Sequence, residues 1–313
     1  MKNFLIVILG PTGVGKSDIA VEIASHFNTV IISADSRQFY SEMTIGTAVP
    51  SEYQLNRIKH HFIRFISVKD YFSSSLYERA VIGLLPSLFS KSRYVVMAGG
   101  SGMYIDAVCR GIDDIPDIEP LIRQKFNEKY MKEGIESLRA ELKLIDPEYY
   151  ARVDLKNHKR IIRALEIFES TGRKYSEFLT KNIVDRDFGI IKIGLERARA
   201  NLYERINARV DEMIEKGLEA EARGLYEMKG LNPLKSVGYR EFFEFFEGKI
   251  SREKAIFNRH QKCLLYRQSG SGNLPQTGKG FRFRQPARIQ NNLKREGETN
   301  HGFFRNASLY GNR

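Results

Sequence analysis

Hydrophobic residues first gather in the run Phe4–Leu9, which ends at Gly10. A short apolar run rich in β-branched residues and closed by glycine predicts a strand. The spacing then changes. Ile19, Ala20, Ile23, Ala24 and Phe27 recur at helical intervals, so the strand feeds an amphipathic helix. Further strand-like runs stand at Val30–Ser33 and Tyr94–Met97, with helical spacing over Leu76–Leu88 between them. Strands alternating with helices in this way predict an α/β unit over residues 1–110.

The pattern shifts at Gly111, where an acidic, proline-containing connector (IDDIPDIEP) begins. Residues 119–180 then carry helical spacing alone, with Leu121, Phe126, Tyr130, Leu138, Leu142 and Ile145 in one arc and Ile161, Leu165 and Phe168 in another. A strand pattern returns at Phe188–Leu195, followed by helical stretches over Arg199–Lys216 and Leu218–Lys229 and the aromatic segment SVGYREFFEFFEG. The helical block therefore interrupts an α/β unit that resumes after it. The predicted organisation is a first part of the core over 1–110, an all-helical insertion over 111–186, a second part of the core with C-terminal helices over 187–257, and an atypical basic tail over 258–313. In that tail Asp and Val vanish, Gly, Asn, Gln and Arg abound and apolar periodicity fades, which predicts disorder or poor packing.

The turn after the first strand carries the first clear chemistry. Gly10, Pro11, Thr12, Gly13, Val14, Gly15, Lys16 and Ser17 spell G-x-x-x-x-G-K-S between a strand and a helix. Its glycines let backbone N–H groups converge on an anion, and the helix N-terminus adds partial positive charge. Lys16 supplies a point charge and Ser17 a hydroxyl for Mg²⁺. The flanking strand and helix weigh against a chance match, so the expected fold is a P-loop NTPase-like parallel sheet core with an all-helical insertion domain. Kinases, GTPases, motors and some transferases share such a loop, so other positions must decide the reaction.

Charge changes the picture little. The net charge of +12 invites a nucleic-acid reading, yet from Ser251 onward 13 Lys/Arg face 3 Asp/Glu, leaving a nearly neutral body. Two distant cysteines, Cys109 and Cys263, give neither zinc spacing nor a disulfide framework and suit a reducing, cytoplasmic setting. No apolar run reaches the roughly 18 residues of a membrane helix, and no secretory leader is apparent. His60 and His61 are adjacent, and adjacent strand positions point to opposite faces, which disfavours a metal pair.

Asp35, at the end of ISADSRQFY, falls at the carboxyl edge of the sheet beside the phosphate loop. A carboxylate there can hold Mg²⁺, orient a nucleophile, accept its proton or cap a helix. The third strand ends in GGSG, where Ser101 can donate to a leaving oxygen or the turn simply needs its glycines. That strand lacks the terminal Asp with which P-loop NTPases hold Mg²⁺, and the chain has no N-K-x-D. Ordinary nucleotide hydrolysis loses ground accordingly.

GPTGVGKS, ISADSRQFYSEMTIGTAVP, HHF, GGSGMYIDAV, NHKRIIRALEIFESTGR and SVGYREFFEF occur in the order seen in tRNA dimethylallyltransferases, and the chain resembles that family over residues 1–257. The resemblance implies transfer of a dimethylallyl group from dimethylallyl diphosphate to N6 of the adenine 3′ of the anticodon, in tRNAs reading codons that begin with U. It implies a Mg²⁺-dependent enzyme whose loop cradles the diphosphate leaving group, with Lys16 and Ser17 where its charge grows. By the same resemblance Asp35 is the general base and Ser101 keeps the hydroxyl of a family threonine. Asp35, Ser36, Arg37 and Gln38 match one tRNA-contacting segment, and Lys159, Arg160 and Arg163 another. Arg205 and Arg209 become candidates for clamping the diphosphate, and Arg240, in Val237-Gly238-Tyr239-Arg240, a tRNA contact. Charge alone reads the 159–163 cluster equally well as a solvated helix face. Tyr104 and Ile105 follow the glycine turn with helical spacing and read as packing residues.

After Phe257 the family's R-x-x-A-K-R-Q-x-T-W-F-R-like run is missing and no Trp occurs anywhere, which suggests a shifted reading frame. Two other readings stay open. A P-loop small-molecule kinase would use Asp35 to activate a hydroxyl, and a non-catalytic RNA-binding protein would keep only the fold. A monomer is the expected state, because no apolar stripe is left over.

Overall fold

A computed structural model describes residues 2–113, 115–116, 118–179, 184–270 and 280–284. Chain contacts divide it into two compact units, one formed by the chain up to Cys109 and from Arg186 onward, the other by Arg110–Asp185.

The first unit is a parallel sheet covered by helices. Its elements are β1 (Phe4–Leu9), α1 (Lys16–His26), β2 (Ile31–Ser33), α2 (Glu52–Arg57), β3 (His60–His61), α3 (Ser74–Phe89), β4 (Tyr94–Ala98) and α4 (Gly102–Arg110). The second unit contributes α5 (Pro120–Ile145), α6 (Pro147–Tyr150), α7 (His158–Thr171) and α8 (Tyr175–Phe178). The chain then returns through β5 (Gly189–Glu196), α9 (Arg199–Glu215), α10 (Leu218–Gly224), α11 (Tyr239–Phe246), α12 (Arg252–Gly270) and β6 (Gly280–Arg284).

The strand order is β3-β2-β4-β1-β5-β6, and every pair is parallel. A parallel sheet is buried on both faces, which explains why the strands read as continuous apolar runs. Alternation sorts their side chains between two cores. Val7, Ile32, Val95 and Met97 pack with Tyr77, Val81 and Leu85 of α3 on one face. Ile8, Ile31 and Val96 pack with Ala20, Val21 and Ala24 of α1 and with Leu202 and Ile206 of α9 on the other.

Chain order and sheet order differ in a way that builds a site. The chain passes from β1 through α1 to β2, but β4 lies between those strands. The turns that leave β2, β4 and β1 thus open side by side at the carboxyl edge, where ligands of open α/β sheets bind.

The second unit has its own core of Phe126, Leu138, Leu142, Ile161, Ile162 and Leu165. It departs from the expected single arc. α5 is broken at Gly134 (φ 76°), and Leu121 is 73% exposed while Ile122 packs inward. A break of this kind turns the buried face, so positions before it follow another phase.

The boundary expected after Phe257 also needs correction, because it falls inside α12. Arg259 is buried and donates to Val237 O, and Lys262 donates to Glu241 at 2.8 Å. The composition shift hid these anchors because they are charged. Of the proposed tail, residues 271–279 and 285–313 lie outside the described residues. Among the described residues, no helix is long and apolar enough to cross a membrane.

Candidate active site

The phosphate loop links β1 to α1. Gly15 takes φ 105°, a left-handed conformation that L side chains rarely adopt, and is the N-cap of α1. Val14 is buried against Leu202 and Ile206, and Arg205 Nε donates to Gly13 O at 3.0 Å, so α9 holds the outer side of the loop. Lys16 Nζ donates to Gly10 O (2.9 Å) and Pro11 O (3.0 Å), which folds the ammonium over the loop. Burial pulls its pKa down to about 8, Asp35 works against that shift, and Arg209 adds to it. Lys16 therefore senses one carboxylate and one guanidinium. Ser17 is exposed in the first turn of α1.

Asp35 leaves β2 and uses its two oxygens differently. Oδ1 accepts from Arg37 N at 3.1 Å and Asp35 O from Gln38 N at 3.0 Å, which closes a tight turn. Oδ2 faces the glycine turn after β4, 3.5 Å from where a Cβ on Gly100 would stand. No helix starts here, so Asp35 caps a turn and not a helix, and Oδ2 is left facing the glycine turn.

Gly99 is required by close approach, because a Cβ there would lie 2.2 Å from the Ala34 carbonyl. Ser101 N donates to Ala34 O (3.0 Å), and Ser101 Oγ accepts from Ser36 N (2.9 Å) and donates to Ser36 Oγ (3.0 Å). Ser101 thus stitches the β4 turn to the β2 turn and holds Asp35 between them. Behind it Tyr104 packs edge-on against Phe39 and Tyr77, its phenol pushed up to about 12 by burial, and Ile105 is buried.

The other sequence candidates separate into two groups. Arg209 reaches Ala48 O at 3.5 Å while acting electrostatically on Lys16, so it belongs to the loop's surroundings. Arg37 acts on the Tyr40 and Tyr104 phenols nearby. Gln38 is a brace, donating to Thr47 O (3.3 Å) and Ala48 O (3.0 Å) and accepting from Ser33 Oγ (3.3 Å).

Lys159, Arg160 and Arg163 lie in α7 of the other unit. Lys159 and Arg160 are exposed, whereas Arg163 donates to Pro116 O at 3.2 Å and pairs with buried Glu166 at 3.6 Å. Arg240 is exposed and pairs with Glu241 at 3.5 Å, and its neighbour Tyr239 is fully buried. His60 and His61 sit on β3, where burial lowers both pKa values.

Two residues escaped sequence reasoning. Arg197 follows β5 at the same carboxyl edge, its pKa lowered by burial and then by Arg205, with Asp18 opposing. Its position just past a strand end was the available signal. Glu221 of α10 bonds the Thr44–Gly46 segment across a sequence separation that no local pattern reveals.

Among the described residues, no group of three His, Cys, Asp or Glu side chains could hold a metal ion. The donor set suits a cation bound through few protein oxygens and the phosphates of a ligand, which is how Mg²⁺ binds in phosphate sites. The absence of a carboxylate at the end of β4, where Ala98 runs into Gly99, remains unlike a kinase or hydrolase site.

Comparisons with known proteins agree with this geometry. The family model described as IPP transferase matches residues 38–268. A tRNA dimethylallyltransferase 2 from Porphyromonas gingivalis is 52% identical over 262 residues, covering 84% of this chain and 87% of the relative. A tRNA dimethylallyltransferase 1 from Bacteroides fragilis is 49% identical with the same coverage. The crystal structure of a tRNA isopentenylpyrophosphate transferase from Bacillus halodurans superposes with a TM-score of 0.64 at 28% identity, covering 91% of this chain and 90% of that one. A eukaryotic dimethylallyltransferase acting on tRNA shares the fold, with a TM-score of 0.72 at 24% identity over 86% of this chain and 69% of that one. With half its sequence shared with curated relatives over most of its length, this chain belongs to the IPP transferase family.

Proposed function

We propose that this chain is a tRNA dimethylallyltransferase, moving the dimethylallyl group of dimethylallyl diphosphate to N6 of the adenine 3′ of the anticodon in tRNAs that read U-initial codons. The observation that carries the reading is the convergence of the Gly10–Ser17 loop, Asp35 and Ser101 at one edge of the sheet, without the carboxylate that nucleotide hydrolysis uses. Membership of the family supports it.

The reaction forms a bond from N6 to the first carbon of the dimethylallyl group and breaks that carbon's bond to a diphosphate oxygen. Negative charge grows on the departing diphosphate, where loop amides, Lys16 and Arg209 stabilise it. The Ser17 hydroxyl would help hold Mg²⁺, which would supply further charge neutralisation at the diphosphate. The weakly basic amine becomes acidic as the new bond forms, and Asp35 Oδ2 accepts its proton while Oδ1 keeps the turn closed. Ser101 holds that turn in register. The target base must leave its stack to reach the half-buried Asp35 carboxylate, and Ser36, Arg37 and Arg240 supply polar contacts to the RNA. Lys159 and Arg160 add positive charge for its phosphate backbone. A cytoplasmic monomer acting on the anticodon stem-loop goes with this reading.

Asp35→Asn tests it, because an amide keeps an oxygen for the Arg37 N–H but cannot take the proton. Transfer is expected to fall about 10³-fold, within the usual span for a lost general base. Inorganic diphosphate affinity, read by calorimetry at pH 7, should change little. Equal loss of both would give Asp35 a metal-binding or structural role instead.

A further inference from the structure

The segment after Tyr40 delivers three successive backbone amides to a single carboxylate. Glu221 Oε2 accepts from Thr44 N (3.0 Å), Thr44 Oγ1 (2.6 Å) and Ile45 N (2.8 Å). Its Oε1 accepts from Gly46 N (2.9 Å) and the Tyr239 hydroxyl (2.6 Å). Burial pushes the Glu221 carboxyl up, but these hydrogen bonds outweigh it and its pKa is lowered. Charge-assisted bonds to an ionised acceptor are the strong ones, so the segment cannot shift without losing several together. Gly46 fits closely, since a Cβ there would lie 2.6 Å from the Tyr239 ring. From α12, Arg259 donates to Gly46 O at 3.3 Å.

The other end of the segment faces the chemistry. Thr47 O and Ala48 O accept from Gln38, and Ala48 O also accepts from Arg209. Gln38 closes the turn that carries Asp35, and Arg209 acts on Lys16. Thr47 Oγ1 donates to Met43 O at 2.6 Å and stiffens the segment between its two ends.

We propose that Glu221 is a positioning residue for the transfer reaction: its carboxylate fixes residues 44–48, and they in turn fix Gln38 and Arg209 relative to Asp35 and Lys16. The proposal rests on the transferase reading above, and Glu221 itself touches no substrate. Glutamine at 221 would keep the volume but leave one acceptor oxygen and turn an amide NH₂ toward groups that are themselves donors.

The full-length chain is assayed with unmodified tRNA and dimethylallyl diphosphate, comparing wild type, Glu221→Gln, Gln38→Ala and the double variant. Glu221→Gln is expected to lower kcat by about 10²-fold, the scale of a misplacement of about 1 Å. The KM for dimethylallyl diphosphate should stay within about threefold, because the loop's own bonds to Lys16 and Arg205 do not involve the segment and Arg209 acts mainly on charge that grows in the transition state. The double variant should lose little more than the worse single variant, since both act through one segment. Should Glu221→Gln prove too unstable, Thr44→Val combined with Tyr239→Phe removes two of the five donors and is expected to give a smaller loss of the same kind. A kcat near wild type, a loss confined to KM, or losses that multiply in the double variant would overturn the proposal. An active wild type with an unaffected Glu221→Gln would sink this inference alone, whereas a wild type that transfers nothing would sink the transferase reading with it.

Discussion

Lys16 shows how one residue is tuned by three surroundings. Burial lowers its pKa to about 8, Asp35 opposes the shift, and Arg209 reinforces it. An anion binds best to the charged amine. The Lys16 contribution to inorganic diphosphate affinity is read as wild type against Lys16→Ala, so that the ligand's own ionisation cancels. It should be flat below about pH 8. Above that value it should fall by about tenfold per pH unit, following the fraction of Lys16 that is protonated. Calorimetric titrations of both proteins between pH 7 and pH 9.5 check this. A ratio of the two affinities flat through pH 9.5 would mean that Lys16 does not carry the interaction. At this scale the sequence was legible where chemistry is local. Gly10–Ser17, Asp35 and Ser101 each follow a strand that the sequence shows as a short apolar run closed by turn residues. It marked Gln38 only as a tRNA contact and passed over Glu221, because their bracing bonds depend on partners brought in by the fold, in the second case 175 to 177 residues away.

The elements of the helical unit rest on a small core. Leu138 and Leu142 of α5 are fully buried against Ile161 and Leu165 of α7. Buried Glu166 is held by Arg123 at 2.8 Å and 3.0 Å, and Asp146 caps Tyr149 N and Ser176 N. Leu138→Ala should destabilise this unit by about 2–5 kcal/mol, as expected for a large-to-small change at a fully buried site. Thermal unfolding followed by circular dichroism should then show an early transition. Diphosphate affinity should survive, because the phosphate loop belongs to the other unit, while tRNA binding weakens. Unchanged tRNA affinity after that early transition would remove the helical unit from RNA recognition. The break at Gly134 was invisible because apolar spacing reports the period of a helix and not its continuity. α12 was misjudged for a different reason. Its anchoring residues Arg259 and Lys262 are charged, so a hydrophobic pattern cannot register the burial of the first or the bonds of either.

The whole molecule joins an anion site to a nucleic-acid substrate without an excess of positive charge in its body. Over its first 250 residues Lys and Arg nearly balance Asp and Glu. On the proposed function, tRNA recognition draws on local groups such as Lys159, Arg160 and Arg240 more than on a general basic field. Sheet order explains the rest, since placing β4 between β2 and β1 brings Asp35, the serine bridge and the phosphate loop to one edge. The most direct test of that account is to incubate the full-length chain with unmodified tRNA, dimethylallyl diphosphate and Mg²⁺, and to analyse the tRNA by nucleoside mass spectrometry. The account predicts an adenosine heavier by one dimethylallyl group, formed with an equal amount of free diphosphate. A folded chain that binds diphosphate and tRNA yet leaves every adenosine unmodified would contradict it.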